Sequence, residues 1–430
     1  MSESAETPKA VVALAGARDG FQLPFALSES GWLERLVTDL YWPADRQWFN
    51  STLGKWLPKS WVQARFRPGL PSRAVTVSAR ALGAFAQMKI FPGLTSNRYK
   101  DKALGHHAKR IALREGAALF CYSTYAHAAF VGAGQQVPWR FLFQLHPHPQ
   151  NVRRILLDEI ERTPQARASL SAEYELALAE KEFDELASEA HLANGWMVAS
   201  QFTAQTLIER GIPPAQVRVV PYGVDSSGFE QRAAAPPAEQ PFTALFVGSL
   251  SQRKGLSYLL SAARLLKTKA ARILLCGRGI VDTLLLAQYS DVCIEVKVGL
   301  SHADLVRQMH GADVLVMPSL AEGFGHVILE AMSCGLPVIA TPHTCAPDVL
   351  EHGKHGFIVP IRDAEALAEH IAWGLENRAE LAAMGEAAAV RARQFTWERF
   401  RAGVCAAYTK MINGQSSSVV LPPHASARAR

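Results

Sequence analysis

The chain has 430 residues, 49% of them hydrophobic and 20% charged, a balance that suits globular α/β or mixed domains and predicts two or three of them. No apolar run reaches the roughly 18 residues that a membrane-spanning helix needs, and the polar opening MSESAETPKA lacks the apolar core of a secretory signal. The formal net charge of +6 is uneven, because residues 1–110 hold 16 Lys and Arg against 8 Asp and Glu.

Six scattered cysteines (Cys121, Cys276, Cys293, Cys334, Cys345, Cys405) show no metal-ligand spacing and read as reduced thiols of a cytoplasmic protein. The basic first third interleaves Trp42, Trp48, Phe49, Trp56, Trp61 and Phe66 with Arg46, Lys55, Lys59, Arg65 and Arg67. That mixture suits peripheral contact with an anionic membrane surface or a lipid-linked acceptor, and it suits local packing with solvated charges equally well. Nucleic acid is disfavoured because no nucleic-acid motif accompanies the charge.

In chain order, Val11–Ala15 reads as a buried strand. The glycine-bracketed loop Gly16-Ala17-Arg18-Asp19-Gly20 follows it, and such a loop either places backbone near a ligand or makes a tight turn. Prolines 43, 58, 68, 71 and 92 break the periodicity of residues 21–110, where no element boundary is legible. Strands are predicted at Ala117–Cys121 and Phe141–Leu145, with a helix near 124–131 between them. Residues 151–191, rich in Ala, Glu, Leu and Arg, read as helices. A strand at Gly195–Ala199, a helix at Gln201–Arg210 and a strand at Val217–Val220 close a first parallel domain over 1–225. Residues 226–240, with Pro236 and Pro237, read as a linker.

A second domain over 241–395 is predicted from strand Phe242–Val247 onward. Helix 256–267, strand 272–276, helix 281–287, strand 292–296 and helix 302–309 alternate, then strand Asp313–Met317, a helix opening at Gly323-Phe324-Gly325, and strands Val338–Ala340 and Gly356–Val359. Helices at 363–376, 379–393 and 396–411 follow, and residues 413–430 read as a disordered tail.

Three features carry chemistry. Glu322 in a loop and Glu330 on the following helix lie roughly 10 Å apart along the helix axis, which suits two hydroxyl-bearing ends of one long ligand. Between them, the N–H groups of Gly323, Phe324 and Gly325 favour an oxygen-rich ligand; taken alone, the pair reads equally as a solvated and a first-turn carboxylate. The loop Gly248–Gly255 follows a strand and opens a helix, and its adjacent Arg253 and Lys254 suit a diphosphate, against solvated charges on a loop. Gly277-Arg278-Gly279 is a second strand-to-glycine turn, a weak signal by itself. His146 ends a strand and can hydrogen-bond or carry charge near neutral pH. The His146/His148 pair lacks a third ligand and makes a poor metal site. His127 reads as a packed helix histidine.

Pro318-Ser319, Glu322-Gly323-Phe324-Gly325, Glu330-Ala331-Met332, Gly335 and Pro337-Val338-Ile339-Ala340 resemble the signature of the retaining nucleotide-sugar glycosyltransferases of the two-domain GT-B type, family 4, the glycosyl transferases group 1. The segment Met197–Asp225 resembles the close of that family's N-terminal domain, with Tyr222 in place of the usual Asn. Gly248–Gly255 looks like its diphosphate loop, with Ser249 where an arginine often stands. The resemblance covers most of the chain, is specific over 195–360 and is absent at 40–110.

The resemblance implies two Rossmann-like, doubly wound domains facing across a cleft, the first binding acceptor and the second nucleotide sugar, with the helix at 396–412 crossing back. It implies transfer of a sugar from a UDP- or GDP-sugar to a hydroxyl of a glycan or lipid-linked acceptor, with retention, in bacterial polysaccharide synthesis at the inner face of the membrane. In that scheme His146, Glu322, Arg253 and Lys254 act at the reacting centre, and Gly248, Gly277, Arg278, Gly323, Phe324, Gly325 and Glu330 join Arg253 and Lys254 around the donor. Gly16, Arg18 and Asp19 form the acceptor-side loop. No metal cofactor is expected. The alternatives are a catalytically degenerate nucleotide-sugar-binding protein and an epimerase or phosphorylase of the same architecture.

Overall fold

A computed structural model describes residues 7–43, 65–90, 97–237, 239–266, 271–278 and 283–415. Arg46, Trp48, Phe49, Lys55, Trp56, Lys59, Trp61, Gly279, the Arg278 side chain and the tail beyond 415 lie outside them, so the readings made on those residues are not addressed.

The described residues form two parallel sheets with helices between their strands, two Rossmann-like domains. The first sheet contains β1 (Ala10–Ala13), β2 (Leu33–Thr38), β3 (Val75–Val77), β4 (Ala118–Tyr122), β5 (Arg140–Gln144), β6 (Gly195–Val198) and β7 (Val217–Val219). Its order is β3-β2-β1-β4-β5-β6-β7. The second contains β8 (Phe242–Ser249), β9 (Ala271–Arg278), β10 (Ile294–Val298), β11 (Val314–Met317), β12 (Val338–Ala340) and β13 (Gly356–Ile358), in the order β10-β9-β8-β11-β12-β13. Strands such as Ala10–Ala13, Ala118–Tyr122 and Val314–Met317 are buried along their whole length, as covering on both faces demands. In both sheets the strand order reverses beside the first strand of the domain, and the carboxyl ends of β1/β4 and β8/β11 are therefore the topological switch points.

By compactness the chain divides into residues 1–143, 188–197 and 402–430 as one unit, and 144–187 with 198–401 as the other. The last helix, Trp397–Gln415, runs through the division. In the first unit its Tyr408 ring stacks on Phe120 at 5.5–6.2 Å from Phe141 and Phe120, and its hydroxyl donates to the Pro8 carbonyl. The second unit's core joins Phe242, Phe246, Leu259, Ile273, Leu275, Val314, Val316, Ile339 and Ile371 around its sheet.

The region 21–110, opaque in sequence, contains helices Gln22–Glu29, Ala79–Ile90 and Asn97–Glu115 besides β2 and β3. The described members of the aromatic-basic stretch pack locally. Trp42 is 6% exposed, Phe66 meets Tyr41 at 6.1 Å, and the Arg67 guanidinium covers the Phe25 ring. No helix among the described residues is long and apolar enough to cross a membrane.

Candidate active site

Both signature loops of the second unit leave its switch point. After β8 the chain makes a tight turn at Gln252–Lys254 and enters helix Leu256–Leu265 through Gly255. Gly255 has φ +72°, and a Cβ there would overlap the Pro318 carbonyl oxygen, so only glycine lets this turn lie against the chain leaving β11. Lys254 Nζ pairs with Glu322, whose backbone N–H bonds the His343 carbonyl at 3.0 Å. Burial, with the Arg253 charge second, lowers Lys254 to about 8, and Glu173 opposes that shift.

Arg253 is fastened on one edge. Its Nη1 donates to Glu175 at 2.8 Å and reaches Glu173 at 3.4 Å, and its Nε donates to the Ala321 carbonyl at 3.2 Å. Ser251 Oγ donates to Glu173 as well. Arg253 and Lys254 are thus faced by three carboxylates, Glu173, Glu175 and Glu322. An anionic guest has to take the place of some of them.

The loop after β11 differs from the sequence expectation in one respect. Helix Val327–Ser333 begins at Val327, not at Gly323-Phe324-Gly325. The carbonyls that would start it are already engaged: Gly323 O accepts from Ser200 Oγ (2.7 Å) and Thr203 Oγ1 (3.1 Å), and Phe324 O accepts the Cys345 N–H (2.7 Å). Gly325 sits at φ +88°, outside helical space. The three residues are therefore a clamped, irregular loop, and an argument from helix amides does not apply to them.

Gly323 has no room for a side chain. A Cβ would overlap the Leu145 carbonyl oxygen and lie 3.2 Å from the His146 Cα. The structure thereby brings exposed His146, at the end of β5, against the Glu322–Gly325 loop. His148, in contrast, is consumed structurally. Its Nδ1 accepts the Gln150 N–H at the start of helix Pro149–Arg162, which leaves Nε2 to donate to the Ala187 carbonyl at 3.1 Å. It is 1% exposed and turned away from any metal role beside His146.

Glu330 lies on the opposite side of this arrangement. It borders a cavity of about 370 Å³ lined by Phe229, Gly248, Gly277, Ser301 and His302 among others. The β8–β9 register pairs Gly248 with Gly277, and both glycines lie within their strands rather than in the loop and turn that the sequence suggested. The Glu330 carboxylate makes no hydrogen bond or ion pair among the described residues, and burial raises its pKa, with His302 opposing. His302 is held by Nε2 on the Gly228 carbonyl at 2.7 Å and edge-on to Phe229. The cavity thus offers a carboxylate acceptor, bare backbone and a ring wall, the equipment for a hydroxylated ring ligand.

In the first unit, Gly16, Arg18 and Asp19 lie together at the β1/β4 switch point. The Gly16 N–H donates to Asp39 at 2.8 Å, Arg18 Nε to the Tyr125 hydroxyl at 3.2 Å, and the Tyr122 hydroxyl to Asp19. Asp19 is in left-handed backbone (φ 47°), and burial lifts its pKa to about 7, against the Tyr122 hydrogen bond. His127 sits in helix Ala126–Phe130 with its N–H on Glu189, as a packed residue.

Several residues at the site carried no sequence signal. Glu173 and Glu175 stand in an Ala- and Glu-rich stretch that reads as plain helix. Ser200 and Thr203, which clamp Gly323, read only as a helix start; Ser200 does cap helix Gln201–Ile208 through the Thr203 N–H. Tyr222, noted only as a turn variant, is 5% exposed and packs edge-on against Phe324 at 5.3 Å.

Residues 228–391, which include both loops and the Glu330 cavity, match the sequence profile of the family described as glycosyl transferases group 1. The chain carries a glycosyl transferases group 1 domain. AmsK of Erwinia amylovora, an amylovoran biosynthesis glycosyltransferase, is 29% identical over 181 residues, 39% of this chain and 44% of AmsK. The chain spans about half the length of the curated relatives it matches. Sucrose-phosphate synthase from Thermosynechococcus elongatus superimposes with a TM-score of 0.63 at 20% identity, over 95% of this chain and 100% of that one. Anabaena HepE in complex with UDP does so with a TM-score of 0.58 at 16% identity, again over 95% and 100%. At these identities the likeness establishes the fold, that of the GT-B glycosyltransferases.

Proposed function

We propose that this protein transfers a sugar from a nucleoside-diphosphate sugar to an acceptor hydroxyl, with retention at the anomeric carbon. The observation that carries the reading is the arrangement around Glu330. The Glu330 carboxylate, without a hydrogen bond or ion pair among the described residues, borders a cavity of about 370 Å³ lined by Gly248 and Gly277, and the Arg253/Lys254 turn follows the same strand. In this reading Glu330 accepts hydrogen bonds from the ribose hydroxyls, and Gly248 and Gly277 let the nucleotide approach the backbone. Arg253 and Lys254 stabilise the departing diphosphate, displacing Glu173 and Glu175 from the former and Glu322 from the latter. Glu322, once released, accepts hydroxyls of the donor sugar, with His146 beside it and the backbone of Gly323, Phe324 and Gly325 around the sugar. Two cations, once freed from their carboxylates, supply the charge that a metal would otherwise bring, so the reaction is read as metal-independent.

The acceptor is read as a glycan or lipid-linked hydroxyl that meets the first unit at Gly16, Arg18 and Asp19, at a membrane surface on the cytoplasmic side. AmsK's role in amylovoran biosynthesis and HepE's binding of UDP support polysaccharide assembly and a uridine donor. Incubation with labelled UDP- and GDP-sugars, with lipid extract as acceptor and with or without EDTA, tests this. The reading expects an EDTA-insensitive labelled adduct with the donor's anomeric configuration. Free sugar phosphate, or an epimerised nucleotide sugar without adduct, would replace it by a phosphorylase or an epimerase.

A further inference from the structure

A second polar cavity lies in the first unit, apart from every residue used above. It measures about 260 Å³ and is lined by Ser78, Arg80, His106, His107 and Arg110. Ser78 and Arg80 stand at the start of helix Ala79–Ile90; the other three stand on helix Asn97–Glu115. His106 and Arg110 are four residues apart, and His107 and Arg110 three, so all three present to one side of that helix.

Every ionisable group lining the cavity is basic. None of Arg80, His106, His107 and Arg110 makes a hydrogen bond or ion pair among the described residues. The acids of the same helix are engaged elsewhere: Asp101 interacts with Lys100 and Arg98, and Glu115 with Arg114 at 2.7 Å. Charges of one sign gathered without a counter-charge repel each other, and an anion between them removes that cost.

Ser78 adds an independent indication. It is only 2% exposed, yet it lines the cavity. Its backbone is satisfied, the N–H on the Thr38 carbonyl at 2.9 Å and the carbonyl by the Leu82 N–H at 2.8 Å. Its hydroxyl makes no hydrogen bond among the described residues and is not sealed off from solvent, so it is available to a guest in the cavity. The amides opening the helix, which have no partner within it, point to the same end.

We propose that this cavity binds a phosphate monoester, the phosphate oxygens taking the Arg80 and Arg110 forks and the Ser78 hydroxyl. The imidazoles tune the site. Burial first, then Lys109, Lys102 and Arg80, hold His106 below its ordinary value; burial, Arg110 and Arg114 do so for His107. A bound dianion offsets those cations and raises both imidazole pKa values, while the phosphate's own second ionisation, near ~6, works in the opposite sense as pH falls.

Calorimetric titration of the full chain with inorganic phosphate at constant ionic strength tests the site. Saturable binding is expected at pH ~8, where phosphate is the dianion. The double variant Arg80→Gln/Arg110→Gln should weaken it about tenfold or more, with melting unchanged because both side chains are exposed. Ser78→Ala should cost less, about threefold. Flotation with phosphatidylcholine vesicles, with and without phosphatidic acid, separates the two sources of such a group. Co-flotation only with phosphatidic acid, lost in the double variant, assigns the site to a lipid headgroup. Phosphate binding without flotation assigns it to a soluble phosphorylated ligand. Phosphate binding equal in wild type and double variant, or none above chloride in the wild type, overturns the proposal.

Discussion

The two ends of one strand-end platform are in opposite electrostatic states. Beside β8, Arg253 and Lys254 are matched by Glu173, Glu175 and Glu322, so the charges proposed to meet a ligand are internally satisfied. On the other side of Gly248, Glu330 faces its cavity with no ion pair or hydrogen bond among the described residues. The difference teaches that a signature can be complete in sequence while its halves are unequally ready. The Glu330 side can take a neutral, hydroxylated group as it stands. The Arg253/Lys254 side takes an anion only by exchanging partners, and the released Glu173, Glu175 and Glu322 carboxylates must then find other donors or water.

The largest effect is expected at Gly323, where the loop meets the Leu145 carbonyl. Gly323→Ala forces a methyl group into the Leu145 carbonyl, and should cost about 3 kcal/mol or more, seen as a lowered melting temperature together with loss of transfer. Next come the two sides themselves. Glu330→Ala and Lys254→Ala should each lower transfer about tenfold or more, at least ~1.4 kcal/mol; near-wild-type rates in both would remove the assignment.

The asymmetry itself is read by a third variant. Glu175→Gln keeps a hydrogen-bonding side chain on Arg253 but removes a competing charge, and should tighten nucleoside-diphosphate binding about threefold by calorimetry; weakening would mean that Glu175 positions Arg253 for the ligand instead. The smallest effect concerns pH. Lys254 sits at about 8, so its contribution to anion binding is full well below that value and fades as pH rises through it. Binding of a nucleoside diphosphate should weaken on the alkaline side of ~8 in the wild type and not in Lys254→Ala.

The second sheet was largely legible because its strands are short apolar runs set off by Gly and Pro. Val338–Ala340 stands where sequence put it, and β8 and β9 are longer than expected by only a few residues. The helix start at Val327 was not legible, because what delays it are hydroxyls of Ser200 and Thr203, more than a hundred positions away. Glu173 and Glu175 were hidden for the same reason: a carboxylate in an Ala/Glu-rich stretch looks solvated until the fold sets a guanidinium beside it. Helix Asn97–Glu115 escaped because it is short of apolar residues, and its packing relies on residues such as Gly105, which lets the Tyr125 carbonyl approach. The basic cavity beside Ser78 could not be read at all, since its residues come from the start of one helix and the middle of another.

The central claim is that the Glu330 cavity and the Arg253/Lys254 turn form one nucleotide site. The most direct test is thermal stabilisation of the full chain by UDP, GDP and ADP, in wild type, Glu330→Ala and Lys254→Ala. At a hundred times its dissociation constant a ligand adds about 2.7 kcal/mol, an easily read shift. The account predicts stabilisation by one nucleoside diphosphate, lost in both variants. Stabilisation that survives both substitutions, or none by any of the three nucleotides, would contradict it.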